Sequence, residues 1–298
     1  MIYLTYMMIT YRDTIQPLKK IQNSILETFE DVSSLNEISK LRIELNLLKS
    51  IGMVESISPN KRAPKDVGLT LERILGVKVN NLKTPDYMGK IELKSLREKS
   101  QKDSLFSKVP DKDISKYKKA KDIISKFGYW DEINKRIALY NNIITKPNNQ
   151  GLYLVANNEK LILSQNYALN NQFDEVCAWH YSTLKKSLET KHPTTLWADA
   201  IETTDVEGKI NFIYKKFELT SKPLFSEFIS LIERDLINFD WKGHVKNGKE
   251  RNHGPRFRIG TKYNGLLFKT LTKVSYIACL VILCSTYIDF YFQLSFSK

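Results

Sequence analysis

The sequence predicts a mixed α/β chain of the α+β type, and three observations predict it. Apolar residues recur at helical spacing through Thr14–Gly52, the stretch Ile91-Glu92-Leu93-Lys94 alternates apolar with charged residues, and two apolar runs flank the turn-forming pair Asn157-Asn158. The chain has 298 residues, enough for one large domain or two ordinary ones, and 42% are hydrophobic, enough for a sizeable core.

Taken in order, Ile15, Leu18, Ile21, Ile25, Leu26 and Phe29 mark a first helix, and Leu41, Ile43, Leu45, Leu47 and Leu48 a second. Ser33-Ser34 followed by Asn36 and Glu37 supplies cap residues for the second helix. Ser58 to Pro64 reads as a basic loop, and Leu69 to Leu75 as a short helix ended by Gly76. Ser95 to Lys126, rich in Lys, Asp and Ser, reads as a solvated loop and helix face. Lys116 to Tyr140 has helical character, Gly151 to Ala156 and Leu161 to Leu163 read as paired strands, and Phe173 to Leu188 and Pro223 to Leu236 read as helices.

The net charge is +13, with 46 Lys+Arg against 33 Asp+Glu, an excess that suits nucleic acid or an anionic membrane surface as partner and, on charge alone, equally a merely soluble basic protein. Cys177, Cys279 and Cys284 are odd in number and lack zinc-site spacing, so they read as reduced thiols of a cytoplasmic protein. Met1 to Thr10 is apolar but short, without a small-residue cleavage site, and is not read as a secretory signal.

Asp86, Glu92 and Lys94 carry the chemistry. Residues two apart on a strand face the same way, so Glu92 and Lys94 project together while Ile91 and Leu93 enter the core. Asp86 precedes a Gly-containing turn that lets it fold back toward Glu92. Two carboxylates suit Mg²⁺, which keeps water and phosphate oxygens as its other ligands, and a neighbouring lysine orients water or offsets phosphate charge. A solvated strand face would carry the same residues. A second cluster, Asp240 to His244 and Arg251 to Ile259, holds two of the four histidines. Arg256 and Arg258 alternate with Phe257 and Ile259, giving a strand one basic and one apolar face. Arg and His on such a face can read guanine or hold phosphate, and a plain basic edge strand would carry the same residues.

Together these segments resemble the MvaI/BcnI family of type II restriction endonucleases, relatives of the MutH-type nickases within the PD-(D/E)XK superfamily. The resemblance is an ordered series: Leu47 to Val54, Val67-Gly68-Leu69-Thr70-Leu71-Glu72-Arg73-Ile74-Leu75-Gly76, Asn80-Asn81-Leu82, Pro85-Asp86, Ile91 to Ser95, Leu105-Phe106, Phe127-Gly128-Tyr129, Gly151 to Leu154, Asp240 to His244, His253 to Ile259, and Leu266-Leu267-Phe268. It implies a restriction-endonuclease-like mixed β-sheet core flanked by helices, with two lobes forming a cleft around double-stranded DNA. It further implies Glu72, Asp86, Glu92 and Lys94 as the catalytic set, and Mg²⁺ held by Asp86, Glu92 and the Leu93 carbonyl. Lys242, His244, Arg251, His253, Arg256 and Arg258 would contact bases and phosphates. The implied enzyme is a monomer that leaves 5′-phosphate ends at a short GC-rich, near-palindromic site, with a cognate DNA methyltransferase as genetic partner. Two kinds of departure stand out: Lys65-Asp66-Val67-Gly68 replaces a Gly-Ile-Gly before the catalytic helix, and in the reading region Lys242, Asn252 and Pro255 stand where relatives commonly have Arg, Asp and Thr.

The expected organisation is a helical segment over 1–62, a nuclease core over 63–165, a recognition lobe over 166–272 and an apolar tail over 273–298. Val274 to Phe292 is close to bilayer-spanning length. A tail anchor, a packed element and an altered C-terminus are its three readings, with Asp289 weighing against a membrane span. The alternative functions are a MutH-like nickase of repair and a non-catalytic DNA-binding protein tethered by this tail.

Overall fold

The computed structural model describes residues 36–77 and 84–274. The first expected helix, Asn80-Asn81-Leu82, Cys279, Cys284 and the apolar tail beyond Val274 lie outside the described residues.

In chain order the elements are α1 (Glu37–Ile51), β1 (Met53–Glu55), α2 (Asp66–Ile74), β2 (Glu92–Arg97), β3 (Lys102–Ser107), α3 (Ala120–Phe127), β4 (Tyr129–Asp131) and β5 (Arg136–Ile143). There follow β6 (Leu152–Asn157), β7 (Ile162–Leu169), β8 (Gln172–His180), α4 (Tyr181–Lys191), β9 (Thr194–Thr204), β10 (Ile210–Pro223) and α5 (Phe225–Glu233). The chain continues through β11 (Ile237–Lys246), β12 (Lys249–Asn252), β13 (Arg256–Gly260), a 3-10 turn (Thr261–Leu267) and β14 (Phe268–Lys273).

Capping follows the sequence. The Asn36 side chain accepts from the Ser39 amide at 2.9 Å and starts α1, which ends on Gly52 at φ 77°. The α2 helix begins earlier than its apolar pattern suggests, because the Asp66 carboxylate accepts from the Ala63 amide at 2.7 Å and closes the preceding turn.

The first sheet runs β1-β10-β9-β2 with β14 also on β10, and β2 lies parallel to β9. The second runs β3-β13-β11-β5-β4 with β12 on β11, and the third is the meander β6-β7-β8. Helices α1 and α2 pack Leu41, Leu45, Leu48 and Leu71 against Ile91, Leu93, Phe212 and Tyr214 of the first sheet. A second core, built around Trp179, Phe228, Phe239, Trp241 and Phe257, joins the other two sheets. The position between residues 165 and 166 falls inside β7, and both larger sheets draw strands from either side of it.

Three segments differ from their sequence reading. Within the expected loop over Ser95–Lys126, Lys102–Ser107 is a strand: Leu105 and Phe106 are buried, and β13 supplies the ladder. Within Lys116–Tyr140 the helix stops at Phe127. The next position, Gly128, sits so close to its neighbours that a Cβ would lie 2.4 Å from the Ile124 carbonyl oxygen and 2.7 Å from that of Ala138, and the chain turns into β4 and β5. Phe173–Leu188 is the strand β8 followed by α4. Val176 to Trp179 is buried at four successive positions, a pattern that periodicity cannot separate from a buried helix. Among the described residues no helix is long and apolar enough to cross a membrane, and Cys177 is a buried free thiol.

Candidate active site and nucleic-acid interface

The turn before β2 delivers Asp86. The Tyr87 amide donates to the Ile91 carbonyl at 2.8 Å, and Met88 and Gly89 take up the left-handed backbone the reversal requires, at φ 52° and 70°. Asp86 folds back as expected, and its Oδ2 accepts from the Leu93 amide at 3.1 Å. The turn is tied to α1 by a Lys90–Glu37 ion pair of 2.5 Å.

Glu92 and Lys94 project side by side from β2, with Lys94 Nζ 2.7 Å from Glu92 Oε1. The strand is not half solvated: the Glu92 side chain is 1% exposed and that of Lys94 21%. Burial pushes the Glu92 carboxyl pKa up, and the adjacent Lys94 opposes that shift. Glu72, on α2, belongs to the same electrostatic neighbourhood. Its pKa is raised by burial first and then by the Asp86 and Glu92 charges, with Lys94 and Lys191 acting the other way. Its neighbour Arg73 turns elsewhere, donating from Nη2 to the Glu55 carbonyl at 2.8 Å. Lys94 also lines an open cleft of about 220 Å³ that continues to Arg97, Asp103, Lys216, Lys262 and Asn264.

Lys191 went unseen in the sequence. It ends α4, and its Nζ lies 2.8 Å from Glu92 Oε2 and 3.9 Å from Asp86 Oδ1. The next residue fastens this helix end. His192 is fully buried, with Nε2 2.8 Å from the Leu105 carbonyl and Nδ1 2.8 Å from Thr195 Oγ1, and it stacks on Trp197. Because a carbonyl only accepts, Nε2 carries the proton and Nδ1 accepts from the threonine hydroxyl. No local signal marks Lys191: a lysine at a helix C-terminus is ordinary, and only the parallel β2–β9 pairing, which sets Glu92 opposite Thr195, brings it to the carboxylates.

The donor set fits a hard cation. Asp86 and Glu92 converge on one positive group, Lys191, so their oxygens already face a common point. Among the described residues no three His, Cys, Asp or Glu cluster as a metal site; a Mg²⁺ ion held by one or two carboxylates would keep water and phosphate as its other ligands.

The second sheet carries the basic face. Residues opposite one another in an antiparallel pair share a face: Asp240 with Asn142 and Arg256, Lys242 with Tyr140, and His244 with Arg251. The other face, with Phe239, Trp241, Phe257 and Ile259, is buried. Buried Asp240 organises the cations: Arg258 Nη1 donates to its Oδ2 at 3.1 Å, Lys242 Nζ lies 4.0 Å away, and Asn238 donates to Oδ1 at 2.6 Å. Arg258 is pinned further by donating from Nη2 to the Lys102 carbonyl at 3.0 Å. Burial lowers the pKa of both Lys102 and Lys242, and Arg258 adds to the shift. Arg256 donates to the His253 carbonyl at 3.1 Å, and the His253 amide to the Lys242 carbonyl at 2.8 Å.

Arg136 and Tyr140 are further members that the sequence did not flag. Both reach His244 Nδ1 at 3.0 Å, and Arg136 is held by Asp131 at 2.8 Å. Since Arg only donates, Nδ1 accepts and the neutral ring carries its proton on Nε2. Burial, then the Arg136 charge, lowers the His244 pKa and favours that neutral form. Tyr140 lies 6.4 Å, ring to ring, from both His244 and His253. A short connection links the two regions, since β2 leads directly into β3, an edge strand of the basic sheet.

Comparison with known proteins agrees with this architecture. The family model described as the MvaI/BcnI restriction endonuclease family matches residues 43–268. The solved structure of a restriction endonuclease MvaI–cognate DNA substrate complex is similar with a TM-score of 0.69 at 19% identity, covering 81% of this chain and 100% of that one. MvaI in the absence of DNA gives a TM-score of 0.50 at 19% identity, covering 81% and 98%. No curated protein matches the sequence. The chain belongs to the MvaI/BcnI restriction endonuclease family and is by that membership a type II site-specific nuclease.

Proposed function

We propose that the protein hydrolyses phosphodiester bonds of duplex DNA at a specific site in a Mg²⁺-dependent reaction, leaving 5′-phosphate and 3′-hydroxyl ends. The observation that carries this reading is the meeting of Asp86, Glu92 and two lysines at one point on the strand that leads into the basic sheet. Asp86, Glu92 and the Leu93 carbonyl would hold the cation, and Glu72 would complete its surroundings, directly or through water. When bound there, Mg²⁺ supplies charge stabilisation at the scissile phosphate and a more acidic water. Lys94, held beside Glu92, orients the attacking water and offsets charge growing on the phosphate oxygens.

Duplex DNA is the substrate that the basic face fits, and the similar MvaI structure is itself a cognate DNA complex. His244, kept neutral, presents Nε2–H to a guanine acceptor in the major groove. Arg251, His253, Arg256 and Lys242 contact bases and phosphates. Arg258, pinned by Asp240, presents a fixed guanidinium edge. Lys242 binds as a point charge where an arginine would make a two-pronged contact. A monomeric state, a short GC-rich target, a methyltransferase genetic partner and a cytoplasmic location complete the reading.

The test is digestion of unmethylated phage and plasmid DNA by the full chain in Mg²⁺ and in EDTA. Discrete fragments that require Mg²⁺, with sequenced ends bearing 5′-phosphates, are expected. Nicked circles alone would favour a MutH-like nickase. DNA shifted but never cut would overturn the hydrolytic reading.

A further inference from the structure

Each carboxylate oxygen of Glu92 faces an ammonium, and buried Oε2 has no hydrogen-bond partner of proper geometry among the described residues. Lys94 occupies Oε1 at 2.7 Å, and Lys191 occupies Oε2 at 2.8 Å. A further cation at Glu92 would be repelled by both ammoniums, most strongly by the one nearest its position. Lys94 stands two residues along the same strand, and its alignment with Glu92 is a property of the strand itself. Lys191 arrives from the end of α4 on a four-carbon stem, and among the described residues it is the cation paired with both carboxylates, 3.9 Å from Asp86 Oδ1 and 2.8 Å from Glu92 Oε2. Its ammonium stands where a divalent ion shared by Asp86 and Glu92 would sit.

We propose that Lys191 is the resident cation of this site: it holds the Asp86–Glu92 pair together before metal arrives, and on metal entry its ammonium withdraws to a phosphate of bound DNA. This rests on the metal-dependent reading above. Glu72 shares the electrostatic neighbourhood of Asp86 and Glu92, and with the two ammoniums the formal charges of the site nearly cancel without a metal. A divalent ion added beside both lysines would leave it positive, and an ammonium would lie in contact with the ion. Withdrawal of one lysine toward a phosphate removes both penalties. The backbone need not move, because His192 is fixed to Leu105 and Thr195 while the Lys191 side chain remains 24% exposed at the site's edge. Metal and DNA then favour one another through a single side chain, and linkage requires that the effect be reciprocal.

The test compares Mn²⁺ binding by calorimetry at pH 8 for the full-length wild type, Lys191→Met and Lys191→Arg, each checked for wild-type thermal melting. Lys191→Gln replaces the Met variant if that one does not fold. Without DNA, Lys191→Met is expected to bind Mn²⁺ about 5–150-fold more tightly than wild type, the usual range of a coupling between sites, while Lys191→Arg stays near wild type. Fluorescence anisotropy with duplex DNA in Ca²⁺ against EDTA is the second readout, and the strengthening by Ca²⁺ should shrink in Lys191→Met. Equal or weaker Mn²⁺ binding by Lys191→Met, with the Ca²⁺ effect on DNA unchanged, overturns the inference and leaves the metal site standing. Absence of Mn²⁺ binding by every form, with and without DNA, removes the metal site and the inference with it.

Discussion

Asp86 performs two tasks that two substitutions separate. Its Oδ2 accepts from the Leu93 amide at 3.1 Å, and its charge faces the common point shared with Glu92. Asp86→Asn keeps an acceptor for that amide and removes the charge. Asp86→Ala removes both and leaves the amide of buried Leu93 unpaired. An unsatisfied buried donor costs about 1–3 kcal/mol, which for a domain of this size lowers Tm by about 2–4 °C per kcal/mol. Asp86→Ala should therefore melt roughly 2–12 °C below wild type, while Asp86→Asn stays within about 2 °C of it. Both should lose at least about 100-fold in cleavage rate, the scale of deleting one preorganised electrostatic contact, while duplex binding in EDTA persists. Differential scanning fluorimetry and a plasmid cleavage time course give both readouts. Wild-type cleavage by Asp86→Asn in Mg²⁺ would refute the catalytic role, and identical melting of the two variants would refute the structural one.

Three more expectations follow from the same geometry. The folded protein holds His192 neutral, its pKa pushed down from 6.5 to about 3, chiefly by burial. The unfolded chain takes up that proton near pH 6.5, so this contribution is full above pH 6.5 and is lost as the pH falls toward 3. At pH 5 the loss is about 2 kcal/mol, and urea melts at pH 7 and 5 should show a smaller difference in His192→Asn than in wild type. Gly128→Ala would place a Cβ 2.4 Å from the Ile124 carbonyl oxygen and should cost about 1–3 kcal/mol, read as a lower Tm with no change in the cleavage pattern. Lys102→Ala should weaken duplex binding for all sequences alike and reduce the salt slope of binding by about one, measured by anisotropy between low and moderate salt; an altered target sequence instead would mean that Lys102 reads bases.

Local chemistry was legible wherever one segment contains the whole signal. The α1 cap at Asn36, the Gly52 and Gly76 stops, the β6–β7 hairpin and the alternation along β2 and β13 all follow from neighbours in the chain. Asp86, Glu92 and Lys94 fall within nine positions, so strand geometry and one turn suffice to bring them together. The misread segments are those whose periodicity is ambiguous. Val176 to Trp179 is buried throughout, and Lys102 to Ser107 is polar enough to look solvated until β13 pairs with it. Tyr129 to Asp131 became a strand because Gly128 ends the helix by close backbone contact, a property of what lies across from it.

By itself the sequence determined the mixed class, the positive charge, the carboxylate–lysine strand and the alternating arginines, because each depends on residue type and spacing along one stretch of backbone. Tertiary structure alone decided which distant groups complete the site. The parallel β2–β9 pairing sets Thr195 opposite Glu92, and the adjoining helix end then places Lys191 against both carboxylates. The β11–β5 register in turn sets Tyr140 opposite Lys242 and brings Arg136 to His244. Such contacts depend on which strands pair and in what register, and a one-residue shift would turn every one of these side chains to the other face.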